Sequence, residues 1–464
     1  MFGVAWPPSM LAGSGSIRSL DNTVKKLVWL HKTRYFWPVY FWGAVIMKIK
    51  IDRHAWLCLL GGLFCSYARP ALTPVAADIT TAHVAPAPSA ETDPPVPAIN
   101  DDPFPAPPEL RPAVAFWENV FAVWERDQVV LHDREHLGIV YELMDLPGTD
   151  NGRLTAEQER EIRWRVGKLE RTLSDLEYRI KRRLSLTREH RHLLHTIVRG
   201  AGKTALRGAG ERVRVQRGMR ASFLLGLKAS GHHEQAFRQV FREAGLPEDL
   251  AYLPHVESAF TARARSSAGA VGVWQFVPET GRRFLRINNA VDERYDPILA
   301  TRGAARYLAY AYAKLGDWGL AITAYNHGLS GMLRAKQQCG ADITRIIREY
   351  DAPTFGFASS QYYAEFLAVR EIVTNLSAFF PEGVNRNPPV EKKGVRFSRA
   401  VTVADLTRAY GLKRQTLVDL NPGWTTAAAE GRVALPAETE FWLPGNAVAQ
   451  SEQYTQFQAS VISE

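Results

Sequence analysis

Apolar residues recur at three- and four-residue spacing through most of this chain, and alternation with a period of two is scarce. Phe116, Val120 and Trp124 begin the pattern, and a second run lies between residues 162 and 176. Residues at these spacings share one face of an α-helix, so the pattern predicts amphipathic helices. We therefore predict a mainly α-helical protein, in which residues 113–235 form an extension of long helices without catalytic chemistry.

Composition limits the classes of partner. The chain has 464 residues, of which 46% are hydrophobic, enough for two or three globular domains. Its net charge of +9 suits an anionic partner: nucleic acid, a membrane surface or an acidic wall polymer. Much of the excess lies between Arg153 and Arg242, where solvated helix faces are the first interpretation. Since no helix-turn-helix, zinc-finger or aromatic-basic sheet motif is present, we predict no nucleic-acid binding.

The N-terminal residues predict export. Met47 offers a second start, followed by the basic Lys48 and Lys50, an apolar stretch and a small-x-small site ending at Ala68. We expect residues 47–77 to be a signal peptide that directs the protein to the periplasm, and residues 1–46 to be a mis-annotated leader. Because residues 35–47 are also apolar, a membrane anchor is the alternative. Residues 78–112 are rich in proline and alanine, which predicts an extended linker.

Cysteine and histidine usage argues against a metal site. Removal of the signal peptide leaves Cys339 alone, which excludes an internal disulfide and a cysteine-based zinc site. His190, His192 and His195 lie on a predicted helix without carboxylates at ligand spacing, so we expect exposed surface residues. The sequence therefore predicts no metal and no cofactor.

Residues 236–380 change character, because helical segments become short and sharply punctuated. We predict a helix over 301–315 that is closed by Gly316, a second that starts after an Asp317 N-cap, and a third over 361–376. Such short connections predict an all-helical lobe.

One acidic residue in this lobe lies among apolar ones. Leu250, Leu253 and Glu257 share a helical face by their spacing, which places the Glu257 carboxyl on the apolar side of its helix. Burial disfavours the charged form and should raise the pKa of this group. An acid that is still protonated near neutral pH is what glycosidic cleavage requires. A buried glutamate paired with an arginine is an equally good interpretation of this helix alone.

Further motifs around Glu257 decide between these interpretations. Glu257-Ser258 is followed by ARSSAGAVGVWQF over 264–276, then by Tyr325-Asn326 and by Tyr362 with Tyr363. In order and spacing these motifs resemble the lytic murein transglycosylases, especially the branch of membrane-bound lytic transglycosylase D. The resemblance covers residues 245–376 and implies a goose-type lysozyme fold.

The resemblance also implies roles for individual residues. Glu257 matches the catalytic acid and base, Ser258 a hydroxyl that contacts the sugar, and Gln275 a glutamine that faces the glycan. Ser258 could instead bond back to a helix carbonyl. Gly269 and Gly272 permit a tight loop.

Three more positions match on the other side of the expected cleft. Tyr325 and Asn326 match the pair that orients the acid and the bound N-acetyl sugar, and Tyr362 matches a tyrosine that lines the cleft. Both tyrosines could alternatively be core residues with a satisfied hydroxyl. Trp274 is equally compatible with a cleft wall and with the core.

The implied substrate is the glycan strand of peptidoglycan, and the implied reaction uses one carboxyl group. Glu257 would act first as acid and then as base, releasing a 1,6-anhydro sugar end without water. A hydrolase of the same bond, the goose-type lysozyme reaction, needs a second carboxylate roughly 5–10 Å away. Four acidic residues are predicted to lie in loops or caps, where we expect structural roles, and these are Asp292, Glu293, Asp296 and Asp317. A catalytically silent wall-binding scaffold is the non-enzyme alternative.

Residues 395–446 predict a small α+β module before a tail over 447–464. Thr402 and Asp405 form a capping-box pattern, Gly411 ends that helix, and residues 435–444 suggest a short strand pair. The module resembles a LysM glycan-binding repeat but lacks the usual Gly-Asp-Thr opening. A structural cap on the lobe is the alternative interpretation, and the sequence does not identify any protein partner.

Overall fold

The computed structural model describes residues 102–146, 153–447 and the backbone of 458–461. The predicted leader, the signal peptide and most of the predicted linker lie outside these residues. Within them the protein is mainly α-helical, as predicted. No helix in the described part of the chain is long and apolar enough to span a membrane.

The first part, which we call the extension (residues 102–230), contains the expected helices. They are α1 Arg111–Glu118, α2 Ala156–Lys181, α3 Arg188–Ala201 and α4 Arg220–Ser230. Thr155 and Gln158 form a capping box that starts α2, and Thr187 with His190 does the same for α3. These side chains satisfy backbone N–H groups that the first helical turn leaves without partners.

A small antiparallel sheet in the extension contradicts the all-helical prediction. Its strands are β1 Gln128–Asp133, β2 Val140–Asp145 and β3 Val213–Arg217, in the order β2-β1-β3. Val129, Val130 and Leu131 are all buried, because Val130 faces the main core while its two neighbours face a smaller one. A strand that is covered on both faces shows no period-two alternation, so its pattern was missed.

Two further predictions about the extension were wrong. The predicted linker is folded at least from residue 102, since Phe104 is fully buried and packs edge-on against Phe366 with ring centroids 4.9 Å apart. His190 is buried rather than exposed, and its Nε2 lies 3.3 Å from an Asp175 carboxylate oxygen. In both cases the partner lies on a separate helix, which the local sequence pattern does not specify.

The next part, the central lobe (residues 234–379), consists of helices with short connections. They are α5 Glu234–Glu243, α6 Leu253–Ser258, α7 Pro278–Phe284, α8 Pro297–Leu315, α9 Trp318–His327, α10 Leu329–Cys339, α11 Ile343–Glu349, α12 Phe357–Thr374 and α13 Leu376–Phe379. Gly316 ends α8 in a left-handed conformation and Asp317 caps α9, as predicted. Helices α8 and α12 each begin four residues before the predicted start.

The C-terminal module (residues 392–447, with strand 458–461) has its own small sheet and core. Its elements are β4 Lys392–Phe397, α14 Val403–Tyr410, α15 Arg414–Leu420, α16 Thr426–Ala429, β5 Glu440–Pro444 and β6 Gln458–Val461. The Thr402–Asp405 capping box and the left-handed Gly411 are as predicted. The predicted strand pair within 435–444 is wrong, because β5 pairs with β4 and the sheet order is β5-β4-β6. Strand β6 lies within the predicted tail.

Candidate active site

The Glu257 carboxyl lies at the buried end of a short helix. All six residues of α6 are buried, and Glu257 itself is 6% exposed. Leu250 and Leu253, which share its predicted face, are fully buried. Directly after α6 the backbone turns sharply, with positive φ angles at the non-glycine residues Ala259 and Phe260. Such conformations are uncommon and are found often at functional sites.

The surroundings of this carboxyl favour its protonated form. Burial raises the pKa of Glu257 to about 7, although a hydrogen bond from the Tyr362 hydroxyl to Oε1 opposes the shift. Within the described residues, Glu257 forms no ion pair with lysine or arginine. The alternative interpretation, a buried Glu257 paired with an arginine, is therefore wrong for the described residues. At neutral pH a large fraction of this group holds a transferable proton.

Two tyrosines approach the carboxyl from different helices. Tyr362 on α12 is buried and donates to Glu257, and Tyr325 on α9 donates from its hydroxyl to the Trp274 carbonyl oxygen at 2.8 Å. Burial, and then the negative charge of Glu257, raise the pKa of both hydroxyls well above the usual value. Both tyrosines therefore stay neutral donors while Glu257 titrates.

The loop over 264–276 is held by its own backbone and by one arginine. Gly269 and Gly272 have positive φ, and a Cβ at Gly272 would lie 2.0 Å from the Arg294 carbonyl oxygen, so no larger residue fits there. Gln275 also has positive φ (49°), and its Nε2 donates to the Gly272 carbonyl at 2.8 Å. Arg294 donates from Nη1 to the carbonyls of Gly269 and Phe276, both at 3.2 Å. The sequence motifs assigned no role to Arg294.

The side chains of Ser258 and Trp274 hold this loop through buried hydrogen bonds. The Ser258 hydroxyl donates to the Val273 carbonyl of the loop at 2.9 Å, and a longer contact of 3.4 Å leads back to the Pro254 carbonyl of its own helix. Trp274 is fully buried, and its indole N–H donates to the Thr301 hydroxyl at 2.8 Å. Of the two interpretations left open for Trp274, the structure shows the core residue.

Asn326 completes the set of predicted residues. It is partly exposed, and its Oδ1 accepts from the Ser359 hydroxyl at 2.8 Å. The bond orients the amide, since Oδ1 faces Ser359 and the two Nδ2 hydrogens point away from it.

A second buried acid near Glu257 was not anticipated. Glu365 lies one turn beyond Tyr362 on α12, is fully buried, and neither carboxyl oxygen has a hydrogen-bond partner within the described residues. Burial and the charge of Glu257 raise the pKa of Glu365 well above its usual value, against a smaller opposing effect of Arg214. The raised pKa favours the neutral form of Glu365 over the carboxylate. The pattern of α12 gave no signal, because an acidic residue in a helix usually faces solvent.

The acidic residues considered for a hydrolase all have structural partners. Asp292 binds Arg294 through both oxygens, at 2.9 and 2.7 Å, and Glu293 accepts from the Arg286 backbone N–H at 2.7 Å. The remaining two are N-caps, of α8 and α9, and these are Asp296 and Asp317. In residues 102–146 and 153–447, no three His, Cys, Asp or Glu side chains come close enough to hold a metal ion.

A buried protonated carboxyl beside two neutral hydroxyls can donate a proton to a bound oxygen and accept one afterwards. This is general acid–base chemistry from a single group. Residues 237–347 match the family model described as the transglycosylase SLT domain. This part of the chain is therefore similar to the SLT domain. It contains Glu257, Ser258, Gln275, Tyr325 and Asn326, whereas Tyr362 lies just beyond it.

Two curated relatives extend the likeness. Membrane-bound lytic murein transglycosylase D of Escherichia coli (strain K12) is 29% identical over 188 residues, which are 39% of this chain and 40% of that protein. Membrane-bound lytic murein transglycosylase F 2 of Alkalilimnicola ehrlichii is 31% identical over 113 residues, 23% of this chain and 24% of that protein. The chain thus spans less than half the length of these relatives.

One solved structure overlaps weakly. It is an inactive mutant of the lytic transglycosylase Slt from Pseudomonas aeruginosa, with a TM-score of 0.26 and 17% identity. The match covers 48% of this chain and 31% of that one, and it is too low to bear on the fold of the whole molecule.

Proposed function

We propose that this protein is a peptidoglycan lytic transglycosylase that cleaves the β-1,4 bond between N-acetylmuramic acid and N-acetylglucosamine. The observation that carries the proposal is the burial of Glu257 inside an SLT domain, with a pKa of about 7 and no basic partner among the described residues. The names of the two relatives, both lytic murein transglycosylases, support the same substrate.

In the proposed reaction Glu257 first gives its proton to the bridging oxygen, and the bond from that oxygen to C1 of the muramic acid breaks. The N-acetyl group of the substrate stabilises the positive charge left on C1. The Glu257 carboxylate then takes the proton of the 6-hydroxyl, whose oxygen bonds to C1 and closes a 1,6-anhydro ring. Glu257 is protonated again, and no water is consumed.

The remaining site residues have supporting roles in this proposal. Tyr362 holds the Glu257 carboxyl and donates to it more strongly as the carboxylate forms. Tyr325 and Ser258 hold the backbone of the loop that carries Gln275, which would face the glycan. The Asn326 amide, oriented by Ser359, would bind the N-acetyl sugar.

Export to the periplasm follows from the same proposal, because that is where the substrate lies. The basic and apolar residues after Met47 support a signal peptide, and a membrane anchor over 35–47 is the alternative. Short helices between two paired strands, in the order β4, α14, α15, α16, β5, support a LysM-like module, for which we propose glycan binding.

The test is Glu257→Gln in the full chain, assayed on purified sacculi with mass analysis of the products. The change keeps the shape and removes the transferable proton, so we expect cleavage to fall by at least about 10²-fold. Glu234→Gln is the matched control, since Glu234 is a partly buried glutamate of the same lobe that pairs with Arg386. Wild-type products with anhydro ends support the proposal. Reducing ends would indicate the hydrolase, and no products the silent scaffold.

The raised pKa of Glu257 predicts two pH effects. Cleavage should decline as the pH rises through about 7, because the acid form is lost.

The second effect concerns stability. A carboxyl with a raised pKa in the folded state destabilises the fold as the pH rises from the usual pKa of the group, near 4.5, to about 7. Glu257→Gln should therefore be more stable than wild type at pH 8 by about 3 kcal/mol, at ~1.4 kcal/mol per pKa unit, and equal to it at pH 4. Urea unfolding of both proteins at the two pH values measures this, and an equal difference at both would refute the raised pKa.

A further inference from the structure

The C-terminal module contacts residues 290–296 of the central lobe. Through Arg294 this segment holds the loop over 264–276, which we call the substrate loop. Backbone hydrogen bonds join Asp292 N–H to the Gly423 carbonyl at 2.7 Å and Thr425 N–H to the Ala290 carbonyl at 2.9 Å. Between them, Val291 and Trp424 form an antiparallel bridge. Residues 290–292 are thus paired like a short strand with residues 423–425.

Side chains join the same two regions. The Trp442 indole N–H donates to Asp296 Oδ2 at 2.6 Å, while Oδ1 of this carboxylate accepts the backbone N–H groups of Ile298 and Leu299 at 3.0 Å. One buried carboxylate therefore both starts α8 and binds the module. Arg302 and Glu440 add an ion pair at 2.7 Å.

From this segment the contacts continue to the site. Asp292 orients Arg294 through two charge-assisted bonds, and Arg294 donates to the carbonyls of Gly269 and Phe276. Those carbonyls flank Gln275, whose strained backbone needs such support. Trp442 binds Asp296, whereas Arg294 binds the loop that carries Gln275. The two contacts meet on one short segment, residues 290–296, where the Tyr295 and Asp296 N–H groups donate to the carbonyls of Asp292 and Glu293 at 3.2 and 3.1 Å.

We propose that the C-terminal module braces the substrate loop, and that Trp442 is a positioning residue for the site around Gln275. This role is separate from glycan anchoring, because it acts through the protein and needs no contact between the module and the polymer. The inference rests on the proposed function where cleavage is measured. Amide hydrogen exchange is a second measurement, and it does not depend on activity.

The experiment uses the full chain with Trp442→Phe, which keeps an aromatic ring and removes the N–H donor. Short soluble glycan strands are the substrate, since an anchor gives no advantage on them. We expect the rate of cleavage to fall about tenfold. A displacement of 1 Å at a site can lower the rate ~10²-fold, and the loss of one distant hydrogen bond should move the loop by less than that. Amide hydrogen exchange within 264–276 should become faster. Arg302→Gln is the milder second variant and should show the same two changes at smaller size.

Thr402→Val is the matched control inside the module. It removes the capping box of α14, whose bonds all lie within the module, and should lower module stability without affecting the loop. Equal cleavage and equal exchange for Trp442→Phe and wild type would overturn the brace. So would equal losses for Trp442→Phe and Thr402→Val, since the effect would then be general destabilisation.

A double variant separates the brace from other causes. If Trp442 acts through Arg294, then Trp442→Phe combined with Arg294→Lys should cleave no more slowly than Arg294→Lys alone. Additive losses would place Trp442 outside this path. A wild-type protein that cleaves nothing would contradict the proposed function instead, while the exchange measurement would still test the brace.

Discussion

The part of the extension around α1 and α4 shares one apolar core with the central lobe, whereas the C-terminal module keeps a core of its own. Phe121 and Phe223 of the extension belong to the same buried cluster as Leu250 and Tyr362 of the lobe. Among the described residues, the buried core of the module includes Ala290 and Val291 from the lobe, and its other buried members come from the module itself. The other contacts there are hydrogen bonds and ion pairs.

This difference indicates how the extension and the module can each affect the active site. Apolar burial is non-directional and large, so the extension and the lobe should fold as one cooperative unit. Hydrogen bonds contribute less net stability but fix distances and angles, so the module is suited to orient a segment of the lobe. The extension stabilises the site, and the module would adjust it.

The largest expected effect is that of Phe223→Ala. Phe223 on α4 is 1% exposed and contacts His255 of α6 with ring centroids 5.2 Å apart, two residues before Glu257. We expect a loss of about 3–5 kcal/mol in one unfolding transition that includes both parts. Leu225→Ala on the same helix is the control, since Leu225 is 65% exposed and should cost less than about 0.5 kcal/mol. Two separate transitions in urea would show that the extension and the lobe unfold independently, contrary to the shared core.

A smaller and local effect is expected for Leu406→Ala. Leu406 is 1% exposed in the module core, so its truncation should cost about 2–5 kcal/mol. Because that core is separate, we expect the module to unfold first while the midpoint of the lobe is unchanged. Calorimetry of the full chain would show this as a new low-temperature transition. A single transition that shifts as a whole would mean that the two cores unfold together.

The smallest stability effect is expected for Arg302→Gln. Arg302 is 32% exposed, and its partner Glu440 also binds Arg396 at 2.8 Å, so the carboxylate keeps a cation after the change. We expect less than about 1 kcal/mol, and less still at high salt, because such pairs are screened. Urea unfolding at low and high salt measures it. A cost above that of Leu406→Ala would show that polar contacts dominate this interface.

Local features of this protein were predictable from the sequence. The Thr402–Asp405 capping box, the left-handed Gly316 and the Asp317 cap each depend on residues within one helical turn. The burial of Glu257 followed from the spacing of two leucines. Caps and periodicity are short-range interactions, so a single sequence contains them in full.

The tertiary structure decided everything that depends on a distant partner. Strand β1 is buried on both faces by parts of the chain far from it in sequence. Glu365 is buried only because the extension and the lobe close around α12. Arg294 and Asp296 acquire their roles from the loop over 264–276 and from Trp442, which lies 146 residues after Asp296. Burial and orientation arise from packing between elements, and no local pattern specifies which elements will meet.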